Sequence, residues 1–197
     1  PQFWNSIRNN TLNVKSLYPQ IESNIQKLKK AYPALKPATI YFSIGAFRTN
    51  GTTDGIKVLI GSELSLADKN TYINELPQWR QGFYQVQNPL NEIALLCTHE
   101  YVHTQQNEIV HNLLCKSLYE GIAEFISCLV TGQKSNAPAI NFGKANEKIV
   151  IDKFVSDLFI MSNDNNWIWG ANNNELKVRD LGYYIGYEIS ERYYNLS

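Results

Sequence analysis

NPLNEIALLCTHEYVHTQQ, residues 88–106, is the stretch on which the reading of this chain turns. Asn88 followed by Pro89 is a helix start: a side chain that can cap, then a residue whose missing N–H costs nothing in the first turn. Glu92 falls in that first turn, where the helix dipole favours an anion. The spacing predicts a helix from Asn88 to about Gln106. Within it, HEYVH places His99 and His103 four residues apart, so that both imidazoles project from one face and can be offered to one ion. Glu100 lies one step round, within reach of a water on that ion.

Such a site needs a third protein ligand and an open position. Sixteen residues separate His103 from Glu120, which stands in YEGIAE, residues 119–124. A second helix is predicted from Asn112 to Val130, with Leu114, Leu118, Ile122 and Ile126 as its apolar stripe and Gly132 as its end. A short connection makes the two helices antiparallel neighbours, which would turn Glu120 toward the imidazole pair. Gly121 would let the backbones approach. Glu124, one turn on, is the rival ligand, or a second carboxylate accepting from the outer nitrogen of a ligating His. Residues 88–132 hold five Glu, no Asp, one Lys and no Arg. Burying Glu100, Glu120 and Glu124 unpaired would cost several kcal/mol each. A divalent cation is the partner this charge pattern asks for. His111 does not fit a third-histidine spacing and reads as a surface or cap residue.

The rest of the chain bounds the answer. With 197 residues and 44% hydrophobic residues, it is expected to form a single domain over residues 1–197. Eighteen basic residues balance eighteen acidic ones, which gives no electrostatic reason to bind nucleic acid or an anionic membrane. No apolar run is long enough to span a bilayer. Cys97, Cys115 and Cys128 are read as buried small apolar groups. The chain begins at Pro1, which suggests a processed or trimmed N-terminus.

Further elements follow from local pattern. Residues 2–32 read as helical. Residues 38–47 and 56–61 read as the strands of a hairpin, joined by the turn-rich residues 49–55, and the strand at 56–61 is expected to offer its backbone to an extended substrate. Residues 62–87 read as irregular, with a short helix near residues 71–79. A helix is expected over residues 142–161, a polar loop over 162–175 holding Trp167 and Trp169, and a last helix over 178–194. The two Trp would either line a cleft or pin the loop. Tyr183 and Tyr187 share a face of the last helix. The expected class is α+β, mainly helical, with a small antiparallel sheet or hairpin packed on the helix that carries His99 and His103.

HEYVH followed by YEGIAE resembles the gluzincin metallopeptidases. The preceding hairpin, HEYVHTQQ, EGIAE and a late GYYIGY are similar to bacterial predicted zinc-dependent proteases related to the gliding-motility lipoprotein B family. The gap before Glu120 is shorter than in the best-known gluzincins, and Tyr119 stands where Asn often precedes the Glu. The resemblance implies a zincin-like fold and zinc held by His99, His103 and Glu120. It also implies Glu100 as general base, Glu124 behind the ligands, and Tyr183 or Tyr187 on the oxyanion. It further implies a peptide or protein substrate and an extracytoplasmic setting (periplasmic, surface lipoprotein or secreted), with a cytoplasmic one left open. The alternative is a non-catalytic zinc-binding scaffold of a bacterial surface assembly. Nothing in the sequence fixes the oligomeric state.

Overall fold

In the computed structural model, residues 1–86, 89–160, 164–169 and 174–197 are described. The decisive stretch forms α5 (Pro89–His103); the expected Asn88 cap lies outside the described residues. Ile93, Ala94, Leu95, Cys97, Thr98, Tyr101 and Val102 are all buried. A helix apolar on nearly every side must be surrounded by its own chain. The chain divides into two compact units, Pro1–Gln105 and Gln106–Ser197.

In the first unit, the helical N-terminal region breaks at Asn13. It becomes α1 (Gln2–Leu12), a tight 3-10 turn at Val14–Leu17, and α2 (Tyr18–Ala31). Pro19 explains the break, because it starts a helix readily but cannot continue one. Three strands follow: β1 (Thr39–Ser43), β2 (Gly51–Asp54) and β3 (Lys57–Gly61). The expected antiparallel pairing of residues 38–47 with residues 56–61 is corrected: β1 runs parallel to β3, and the sheet order is β1-β3-β2. The true hairpin is β2–β3, closed at Asp54-Gly55, where Gly55 takes a positive φ of 57°. The presumed loop thus supplies a strand. It can do so because residues 44–50 cross from one edge of the sheet to the other, past the end of β3, where a Cβ on Gly61 would overlap the Thr49 carbonyl.

That crossing is clamped by Glu63, a fully buried carboxylate on the short α3 (Ser62–Ser65). Its oxygens accept the Gly45 N–H at 2.9 and 3.1 Å and the Phe47 N–H at 2.6 Å. Ala46 and Phe47 both carry positive φ. Phe47 packs on a core cluster of Phe3, Ile7, Leu64, Ala67 and Tyr84. The short helix expected near residues 71–79 is instead α4 (Gln78–Val86). Because β3 is flanked on both sides, the expectation that residues 56–61 receive an extended substrate is also corrected. The free edges belong to β1 and β2.

The second unit begins with α6 (Leu113–Thr131). The Asn112 side chain caps it by accepting the Cys115 N–H at 2.8 Å, and Gly132 closes it in the left-handed conformation. The buried face is not the expected apolar stripe. Leu114 is 37% exposed, whereas Ser117, Glu120, Gly121, Glu124, Ser127 and Cys128 are buried. The reason is the partner, α10 (Leu181–Leu196), which crosses so closely that a Cβ on Gly121 would run into the Gly186 backbone. Between them lie α7 (Pro138–Ala145), α8 (Glu147–Asp157) and α9 (Asp164–Trp167). The single helix expected over residues 142–161 is therefore two, parted at Asn146. Of the expected loop at 162–175, residues 162–163 and 170–173 lie outside the described residues. Trp167 is buried and its Nε1 donates to Asp157 at 3.0 Å, which makes it a pin; Trp169 is exposed. Among the described residues, no helix is long and apolar enough to cross a membrane.

Candidate metal centre

His99 and His103 project from the last turn and a half of α5 and are both buried. Their Nε2 atoms lie 3.0 Å apart, with the rings nearly perpendicular at 80°. Two ring nitrogens brought this close, on side chains fixed by helical spacing, form the start of a ligand set. Glu100 is buried beside them. Its carboxylate is backed by β2: a Cβ on Gly51 would overlap the Glu100 side chain, so any larger residue there would displace the carboxylate or the strand.

On the other face of the same turn, Tyr101 anchors the helix. Its hydroxyl accepts the Ala38 N–H at 2.8 Å and donates to the Lys36 carbonyl at 3.3 Å. Cys97 is fully buried; burial first, then the charge of Glu100, pushes its thiol pKa up, which leaves it an inert apolar group.

Glu120 and Glu124 lie one turn apart on the buried face of α6. The Tyr183 hydroxyl on α10 hydrogen-bonds to the Glu120 carboxylate. Burial and then the Glu120 charge hold the phenol pKa well above its ordinary value, so Tyr183 is a donor throughout the neutral range. Tyr187, one turn on, is engaged differently. Its hydroxyl donates to Glu191 Oε1 at 3.3 Å, and its ring packs against Phe125 and under the Lys144 ammonium. Of the two tyrosines expected near the chemistry, Tyr183 is the one on Glu120. Asp180 precedes α10 in a left-handed conformation; burial raises its carboxyl pKa and the Arg179 charge only partly offsets this.

His99, His103 and Glu120, all buried, form a group that could hold a metal ion, with one ligand atom of each within 4.8 Å of the others. The donor set of two imidazole nitrogens and one carboxylate oxygen suits zinc, whose bonds to such atoms are about 2.0–2.2 Å. His111 is exposed and outside this group. Two contributors escaped the sequence reading. Gly51 falls within the turn-rich residues 49–55, whose pattern signals a loop and not a strand, and Glu63 has no local signal because its partners lie on a crossing loop. Compared with protein-family models, curated proteins and solved structures, the chain matches none.

Proposed function

We propose that this chain is a zinc-dependent peptidase of gluzincin type, in which His99, His103 and Glu120 hold the ion and Glu100 is the general base. The observation that carries the reading is the buried group of two imidazoles and one carboxylate, with a second buried carboxylate next to the first imidazole in sequence. A bound zinc ion would supply a Lewis acid that polarises a carbonyl and acidifies water. Glu100 takes the proton of the attacking water and passes it to the leaving amine. Gly51 keeps the space in which that carboxylate sits. Tyr183, donating to Glu120, fixes the orientation of the ligand carboxylate, and Glu124 supports the same buried face. The free edge of β2, which passes Glu100 at Gly51, is the element that would align an extended peptide.

The test is metal content together with turnover. Wild type is expected to purify with about one zinc per chain and to cleave members of a broad peptide library. Glu100→Gln is expected to keep its zinc and lose turnover by at least about 100-fold. His103→Ala or Glu120→Ala is expected to lose both. Full zinc occupancy with no cleavage of any library member would overturn the peptidase reading and leave a metal-binding scaffold.

A further inference from the structure

The edge of the sheet remote from Glu100 belongs to β1, and it is unprotected. Thr39 N–H donates to the Ile56 carbonyl at 2.9 Å, which fixes the parallel ladder so that Thr39, Tyr41 and Ser43 bond to β3. The N–H and C=O groups of Ile40 and Phe42 therefore point away from the sheet. The strand TIYFS holds no charge and no proline, so it lacks the usual devices that blunt an edge.

Alongside it runs a groove of about 330 Å³ between this edge and one face of α2, made by Tyr18, Ile21, Glu22 and Ile25. Tyr18 stacks on Phe42 at 6.2 Å and forms an aromatic wall. Tyr101 also lines the groove. Glu22 is the one charged side chain among the groove residues; it is exposed and no described residue pairs with it.

We propose that this groove is a docking site for an extended peptide segment of a partner protein, added as a fourth strand antiparallel or parallel to β1. Apolar side chains at alternate positions would enter the groove, and a basic residue would face Glu22. An extended backbone is the protein ligand that pairs with the outward Ile40 and Phe42 groups in ladder register, and a helix face beside a strand edge can hold its side chains. A basic segment is favoured because the groove carries one unneutralised carboxylate and no cation. A second copy pairing through its own β1 is a poor occupant, because the strand TIYFS brings no basic residue to face Glu22. The inference is independent of the metal group, since the groove lies on the opposite edge of the sheet from β2.

The probe is a fluorescein-labelled peptide of alternating valine and threonine with one central lysine, mixed with the full chain. Amide exchange at Ile40 and Phe42 is expected to slow at least about tenfold on peptide addition, while Gly51 and Thr53 on β2 are unchanged. By anisotropy, Glu22→Lys is expected to weaken the peptide about fivefold and to reverse the preference when glutamate replaces the peptide lysine. Methylating alternate peptide nitrogens is expected to abolish binding in the register that faces β1. Three outcomes overturn the proposal. One is no protection at Ile40 and Phe42 in saturating peptide. Another is protection confined to β2, which would assign the peptide to the proposed substrate edge. The third is protection at Ile40 and Phe42 that rises with protein concentration alone, which would assign the edge to a second copy.

Discussion

His99, Glu100 and His103 could be read from five residues because helical periodicity alone brings them into register. Gly51 and Glu63 could not. Each owes its role to a chain crossing that places it against residues far away in sequence, Glu100 in one case and the Gly45 and Phe47 amides in the other. Gly51→Ala is a direct test of the closeness of this packing. The added methyl overlaps the Glu100 carboxylate, so either the strand or the carboxylate must move. Under the proposed mechanism, in which Glu100 is the general base, misplacement of that group by about 1 Å can cost on the order of 100-fold, so steady-state assays are expected to show a fall of at least about tenfold in kcat, with zinc content unchanged. Wild-type kcat in this variant would show that Glu100 does not act where the strand holds it.

At the scale of elements, the helix over Leu113–Thr131 was legible to within a residue at each end because Asn112 and Gly132 mark it with local chemistry. Its buried face was not legible. Hydrophobicity pointed to Leu114, Leu118, Ile122 and Ile126, but the close crossing with Leu181–Leu196 selects for size, and the buried side mixes Ser117, Gly121, Ser127, Glu120 and Glu124 with Leu113, Ala123, Phe125 and Cys128. The β1–β3 pairing was missed for a related reason, since no local pattern tells a crossover from a hairpin turn. Glycine substitutions separate the two kinds of constraint. Gly186→Ala would press a methyl into the Ser117 carbonyl across the crossing, and urea unfolding is expected to show a loss of about 1–3 kcal/mol. Gly82→Ala, inside α4 with open space around it, is expected to gain about 0.5–1 kcal/mol from helix propensity alone. Equal effects of the two would mean that the helix crossing is looser than described.

For the molecule as a whole, two perturbations act on stability through linkage, with different signatures. Any ion held by His99, His103 and Glu120 in the folded state only must stabilise that state, by about 2.7 kcal/mol at a concentration 100 times the dissociation constant. Chelation is therefore expected to lower Tm in the wild type and in Glu100→Gln, and to leave His103→Ala unmoved. Alkali acts on the buried acids. Burial, then the Glu188 and Glu147 charges, pushes Tyr184 up to about 12, and burial, then the Glu124 charge, pushes Cys128 up to about 12. Tyr84, Tyr183 and Tyr187 are raised for the same leading reason. A group with a raised folded pKa binds its proton more tightly folded than unfolded. Its contribution is whole below the unfolded value, near 9 for the thiol and 10 for the phenols, and is lost as pH climbs through the folded value. The urea midpoint is thus expected to hold steady up to about pH 9 and to fall steeply toward pH 12. Tyr184→Phe, which keeps the ring and removes the titrating hydroxyl, is expected to flatten the part of that fall above pH 10. An unchanged slope in the variant would show that Tyr184 ionises as freely in the folded chain as in the unfolded one.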